Sequence, residues 1–428
     1  MGDAIVRCLL ALALLVLTFA PAQAQLRGHG GPVRALAVSS DGKTAVSASF
    51  DETVIRWSLA RDAAEQVLRF HDGSVNAVAL LPDGRLATAG EDGRIAIWAP
   101  GADRPATVLT GHTAPVVALA ASSDGSTLAS ASWDRTARLW PLAGGDPVVL
   151  DGHQQNVNGI AFTPDGRSVV SASYDLTVRI WPRAGGAPTI VTVPSPLNSV
   201  AVAPDGEIVT GGADGKLYFL SAAGELRGDT AASETPIIAI ALSPDGALIA
   251  AAGVRGSVAI VERATRRVAR SLVGPGLPVW SAAFLPDNRT LITGGTDRMI
   301  RRWDALTGDQ VGSVAVGAVE DPLARYAGDR GAEMFRACVA CHTLSSDENN
   351  RAGPTLAGIF GRRIATLPGY NFSPALKKLD IVWTPETVAK LFEVGPATYT
   401  PGTKMPEQTI GSPEDRQALV KFLEKATK

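Results

Sequence analysis

A unit of about forty residues recurs along most of the chain, and a period of that length commits a sequence to repeated copies of one small supersecondary motif. Each unit ends on an aromatic or apolar residue, at Trp57, Trp98, Trp140, Trp181, Leu220, Val261 and Trp303, in steps of 41, 42, 41, 39, 41 and 42 residues. Most units carry a tight-turn signal such as Ser40-Asp41-Gly42, Pro82-Asp83-Gly84, Pro164-Asp165-Gly166 or Pro204-Asp205-Gly206, and the seventh has Pro286-Asp287-Asn288 instead. An Asp-Gly pair between short β-prone runs is hairpin punctuation, so each unit predicts a small antiparallel sheet. Seven such units in series predict an all-β seven-bladed propeller.

The first four units hold a second pattern: His29, Ser47, Asp51, Trp57; His71, Thr88, Asp92, Trp98; His112, Ser130, Asp134, Trp140; His153, Ser171, Asp175, Trp181. On these residues the sequence resembles the WD-repeat family. The resemblance implies that the four side chains form a buried hydrogen-bonded relay tying the strands of each blade, because a buried imidazole and carboxylate are tolerated only when their donors and acceptors are satisfied. Later units depart from the pattern. The fifth keeps Thr210 and Asp214 without the His and Trp, the sixth has Arg255 where Asp is expected, and the seventh keeps Thr293, Asp297 and Trp303. Blades five and six are therefore expected to be the least rigid, by simple divergence or by adaptation to binding. An unpaired edge on the last blade invites association, and the segment Gln310 to Val316 is expected to supply its outermost strand.

Residues 338 to 342 read Cys-Val-Ala-Cys-His. That spacing attaches a c-type haem, with two thiols for the vinyl groups and the adjoining imidazole for iron. A redox dithiol or half of a zinc site has the same local sequence. The surroundings extend the pattern: Gly331 and Phe335 before it, Gly353-Pro354 after it, then Gly361-Arg362, Gly369-Tyr370, Trp383 and Pro401-Gly402-Thr403-Lys404-Met405. In this order and spacing the last hundred residues resemble the class I c-type cytochromes, of the kind close to mitochondrial cytochrome c. The resemblance implies a small all-α cytochrome c domain following the propeller and one covalently bound haem c. Cys338 and Cys341 are implied to carry the thioether bonds, with His342 and Met405 as the iron ligands. The Pro354 carbonyl is implied to orient His342, while Arg362, Tyr370, Trp383 and Thr403 bond or shield the haem propionates. Gly331 and Phe335 are implied to cross a C-terminal helix at Leu419 and Phe422. Phe372 and Phe392 stand where relatives often carry tyrosine, so hydroxyl contacts to a propionate and to the Met sulfur are expected to be missing.

The rest of the sequence bounds the setting. Arg7, an apolar run from Leu9 to Ala20 and Ala22-Gln23-Ala24 read as a signal peptide over residues 1–24, with the mature chain exported to a periplasm. The run is shorter than the ~20 apolar residues that span a bilayer, so no integral membrane segment is expected after its removal. Once Cys8 leaves with the signal, Cys338 and Cys341 are the cysteines that remain. A formal charge of -2 makes neither nucleic acid nor an anionic membrane an obvious partner. The chain then divides into a propeller over 25–316, a linker over 317–328 and the cytochrome domain over 329–428. The leading expectation is an electron-transfer protein whose propeller is a docking platform for a redox partner. The alternative is a periplasmic redox enzyme whose propeller binds a second cofactor or substrate. The histidines weigh on this choice: all 5 are spoken for, four by the relays and one by iron. A redox sensor is a third use of the same parts.

Overall fold

The computed structural model describes residues 25–428 apart from 275, 312–322, 337, 341, 346–352, 369, 371, 373–374, 402, 404 and 406–408. The expected signal peptide therefore lies outside the described residues, as do Cys341 and most of the segment between the two domains.

Seven four-stranded antiparallel sheets make up the propeller. In the first blade the strands run Val33–Val38, Thr44–Ser49, Thr53–Ser58 and Ala63–Arg69, from the innermost outwards. Neighbouring blades press on both faces of each sheet, which is why the second strands are small and apolar rather than alternating. Thr44-Ala-Val-Ser-Ala-Ser49 is buried from Ala45 to Ser49, and Thr127–Ser132 and Ser168–Ser173 repeat the arrangement. The outermost strands face solvent and show it, with Val148 at 55% and Ile190 at 53% exposure.

Closure departs from the expectation. The outer strand of the seventh blade is Gln25–Arg27, which pairs antiparallel with Met299–Asp304 through Gln25↔Arg301, Leu26↔Ile300 and Arg27↔Met299. Gln310, expected to begin that strand, makes only an isolated bridge to Trp303, and 312–316 lie outside the described residues. The physical reason is offset: each repeat ends at its blade's third strand, so the outer strand of each blade comes from the start of the next repeat. The seventh blade has no next repeat and takes the start of the first. Leu26, 1% exposed, fills the seam against Ile292 and Ile300.

The relays form as the resemblance implies. In the third blade His112 Nδ1 lies 2.7 Å from Asp134, His112 Nε2 lies 2.7 Å from Ser130 Oγ, and Trp140 Nε1 donates to the same hydroxyl at 2.8 Å. With Nδ1–H given to the carboxylate, Nε2 accepts from the hydroxyl, which accepts from the indole, and every buried group is used. The first, second and fourth blades repeat this. The fifth substitutes a shorter link, Tyr218 donating to Asp214 at 2.6 Å, and leaves the Thr210 hydroxyl buried without a hydrogen bond. In the seventh, Trp303 still donates to Thr293 at 2.9 Å, but Asp297 pairs with Arg301 instead of a histidine.

The C-terminal domain is built on α1 (Arg330–Phe335), α2 (Pro385–Val394), α3 (Pro396–Tyr399) and α4 (Pro413–Ala426). Asp329 caps α1 by accepting from Gly331 and Ala332, and Thr384 and Thr387 form a reciprocal capping box on α2 ahead of Pro385. α1 crosses α4 at Gly331. A Cβ there would stand 2.2 Å from the Ala418 carbonyl and 2.5 Å from Phe422 Cβ, so only glycine permits the approach. Phe335 packs on Phe422 beside this crossing, Arg330 pairs with Asp415, and Lys425 reaches Asp329 at 3.8 Å. Leu323 and Tyr326, from the segment read as linker, pack into the same core, Tyr326 edge-on to Phe422 at 5.0 Å.

Candidate functional site

Past α1 the chain makes a 3-10 turn at Cys338–Ala340, and the His342 amide donates to the Cys338 carbonyl at 2.9 Å. The turn sets His342 at the edge of the helical core. Its Nδ1 lies 2.8 Å from the Pro354 carbonyl oxygen. A carbonyl only accepts, so the proton sits on Nδ1 and the lone pair on Nε2, the form in which an imidazole ligates a metal. Cys338 is buried, and desolvation pushes its thiol up to about 11.

The sequence-predicted site residues meet in one cleft. Cys338, His342, Pro354, Arg362, Tyr370, Trp383, Thr403 and Met405 all line it; Cys341 is not among the described residues. The cleft holds about 1330 Å³ out to its open mouth, and its floor is apolar, with Phe335 from α1, Val388, Leu391 and Phe392 from α2, and Leu423 from α4. Arg362 and Arg363 bring positive charge to the lining, and Arg362 is the more confined by hydrogen bonds. Its guanidinium donates to the carbonyls of Ala357 at 3.1 Å and Thr355 at 3.0 Å, no carboxylate among the described residues pairs with it, and desolvation lowers its pKa. Trp383 is fixed through its backbone, accepting from the Gly361 amide at 2.8 Å and donating to the Arg362 carbonyl at 3.0 Å. Tyr370 leans on Phe372 with ring centres 4.7 Å apart. Thr403 accepts the Met405 amide at 3.1 Å, which ties the thioether's loop to its own threonine. Phe372 and Phe392, where tyrosines were expected to be absent, both face the cleft.

One wall was not foreseen. Gly28, Asp51, Thr53 and Val67 of the first blade line the same cleft, so the propeller shares in the site. Asp51 and Thr53 belong to the relay of His29: Thr53 donates to Asp51 at 2.6 Å, and Asp51 accepts from His29 at 3.1 Å. Burial alone raises the Asp51 pKa, but the histidine and threonine bring it well below the usual carboxylate range, so the wall carries a fixed negative charge. Contacts between residues some three hundred positions apart leave no spacing signal in a sequence.

Comparison with known proteins follows the same division. A model described as WD domain, G-beta repeat matches residues 21–58, 64–99, 103–141, 147–182 and 266–304. It passes over the fifth and sixth units, the two that lack the His and Trp of the relay. A model described as cytochrome c matches residues 328–427. The chain is 41% identical over 100 residues to a cytochrome c of Cochliobolus lunatus, covering 23% of this chain and 92% of that protein. It is 41% identical over 100 residues to a cytochrome c of Arabidopsis thaliana, covering 23% of this chain and 88% of the relative. A cytochrome c homolog of Rickettsia felis is 38% identical over 95 residues, 22% of this chain and 54% of its own length.

Proposed function

Because the chain belongs to the cytochrome c family through its C-terminal hundred residues, set behind a WD-repeat propeller, we propose that it transfers single electrons through one covalently bound haem c while the propeller docks its redox partner. The observation that carries this reading is the meeting, in one largely apolar cleft, of an imidazole fixed by a carbonyl, a thioether and an arginine that no carboxylate among the described residues pairs with.

These residues suit an iron porphyrin by their chemistry. His342, its lone pair placed on Nε2 by the Pro354 carbonyl, and Met405 would hold the iron, and Cys338 and Cys341 would be the points of covalent attachment. Arg362, which among the described residues donates to the carbonyls of Ala357 and Thr355, would hold a propionate, with Tyr370, Trp383 and Thr403 beside it. When bound, the haem supplies a reversible one-electron couple, and a thioether paired with imidazole raises its potential. The apolar floor of Phe335, Leu391 and Phe392 excludes water, which disfavours the more highly charged oxidised state. An imidazole and a thioether both facing the cleft would leave iron without a free position for small molecules, which suits a carrier better than an oxygen-activating enzyme.

Export belongs to the same proposal. The apolar run and Ala22-Gln23-Ala24 support a signal peptide over 1–24 and a periplasmic mature chain, whose domains extend over 25–316 and 329–428. Co-expression with a c-type maturation system, followed by optical spectroscopy before and after denaturation, tests the whole. The expected result is one porphyrin that stays with the polypeptide after denaturation and a ferric band of Met ligation that Met405→Ala abolishes. Porphyrin lost on denaturation, or a spectrum that Met405→Ala leaves unchanged, overturns the assignment.

A further inference from the structure

Each blade has an irregularity at one place in its innermost strand. The pairing of inner with second strand skips a residue between Val33 and Ala35 in the first blade, Val75 and Ala77 in the second, Val157 and Gly159 in the fourth, and Val279 and Ser281 in the seventh, and likewise in the other three. The skipped residue is a β-bulge, which turns its side chain out of the regular ladder. Since Val33 pairs with Ser49, just ahead of the Asp51 turn, the bulges stand at the end of the inner strands near the relay loops. They form one ring at the mouth of the central channel. Three of the seven are asparagines, of which Asn158 and Asn198 donate to the carbonyls of Leu197 and Ile237 in the next blade, at 3.0 and 2.7 Å. Those residues clasp blade to blade.

Arg34 occupies the equivalent position in the first blade and does not form the hydrogen-bonded clasp of the asparagines. Half-buried, it makes no hydrogen bond and no ion pair among the described residues, and desolvation lowers its pKa without any neighbouring charge to oppose it. Its contact is with the bulge residue of the seventh blade: the guanidinium lies over the Trp280 ring, 5.4 Å from the centroid. Trp280 is itself held, donating to Thr296 at 2.9 Å and leaning on Phe50 with ring centres 6.1 Å apart. Phe50, 39% exposed, continues the aromatic surface to solvent. The five guanidinium donors face no protein acceptor among the described residues, and the half-exposed fork is open to an entering anion. The planar fork matches a carboxylate.

We propose that Arg34 anchors a carboxylate-binding site at the mouth of the propeller channel, with Trp280 and Phe50 as its apolar wall. The ligand is a carboxylate flanked by an apolar group, carried either on a small free acid or on a glutamate of a protein segment. The site stands independently of the electron-transfer reading, since it lies on the propeller and uses none of the haem-cleft residues.

The test uses the full-length, haem-loaded chain at low ionic strength. Calorimetric titration is run with succinate in one arm and with the amidated peptide acetyl-Leu-Glu-Leu in the other. The expected result is saturable binding in at least one arm, weakened about tenfold or more by Arg34→Gln and unchanged by Arg298→Gln, which alters an exposed arginine of the same face whose Nη1 reaches the Gly30 carbonyl at 3.4 Å. Binding of succinate as tight as that of the peptide assigns the site to a free acid, and binding of the peptide alone assigns it to a protein segment. Absence of binding in both arms, or equal binding by Arg34→Gln, overturns the proposal. Thermal melting without ligand is the second measure. With no hydrogen bond or ion pair among the described residues to lose, and its contact over the Trp280 ring the interaction given up, Arg34→Gln is expected to melt close to the parent temperature, and a clear fall in melting temperature shows that Arg34 is a structural residue and likewise overturns the proposal.

Discussion

A single hydroxyl sits at the centre of each complete relay, and its removal isolates two buried groups at once. Ser130→Ala leaves His112 Nε2 and Trp140 Nε1 without partners in an interior where those residues are 8% and 3% exposed. The expected loss is about 1–3 kcal/mol per orphaned group, read by denaturant unfolding of the propeller. The relays also give stability a pH dependence whose sign is fixed. Burial raises the carboxyl pKa of Asp92 and Asp134, but hydrogen bonds and charge from His71 and His112, with Arg94 and Thr136, bring both well below the usual range. Their contribution is thus complete above the unfolded value of about 4 and is lost as pH falls through the lower folded values. His153 is lowered by burial, so its neutral form stabilises the fold above about pH 6.5 and that part is lost below it. Melting temperature is expected to be level between about pH 7 and 8, to decline gently below about 6.5 and to drop steeply below about 4. A midpoint that rises on acidification contradicts the relay's role. That His342, Pro354, Arg362 and Met405 gather in one cleft was legible because they lie within seventy positions of one another, in one short domain. Arg34 was not, because an arginine in a strand-like run reads as an ordinary surface residue until its bulge and its seat over the Trp280 ring are seen.

Among the elements, the crossing of α1 with α4 and the seam of the seventh blade bear the tightest constraints. Gly331→Ala forces Cβ into the Ala418 carbonyl and Phe422, and backbone shifts of that kind cost about 1–3 kcal/mol or more. The loss is expected in the melting of the helical domain, followed by near-ultraviolet circular dichroism, with the propeller transition unmoved. Leu26→Ala empties a fully packed position between Ile292 and Ile300 and is expected to cost the propeller about 2–5 kcal/mol in denaturant unfolding. The sequence made blade number and turn positions plain because hairpin punctuation and apolar period are local properties. It misassigned the closing strand because Gln25–Arg27 is too short to carry a period, and because nothing in a strand's own residues says that its partner lies at the far end of the domain.

At the scale of the molecule, the two domains meet at the cleft, where Val67 and Thr53 of the first blade stand across from residues of the haem domain. The propeller thus sets part of the dielectric around the redox centre. In the haem-loaded chain, Val67→Glu adds a carboxylate to that wall and is expected to lower the midpoint potential, since a nearby negative charge favours the ferric state. Spectroelectrochemical titration reads the shift, and an unchanged or raised potential argues that the wall does not sense the haem. Strand pairing between Gln25–Arg27 and Met299–Asp304 has a further consequence, for the order of events in biosynthesis. The first residues of the ring to be made must wait for the last, so no partial product released before the seventh repeat is finished can shut itself, and the haem-binding segment is translated only after the hoop has everything it needs to lock.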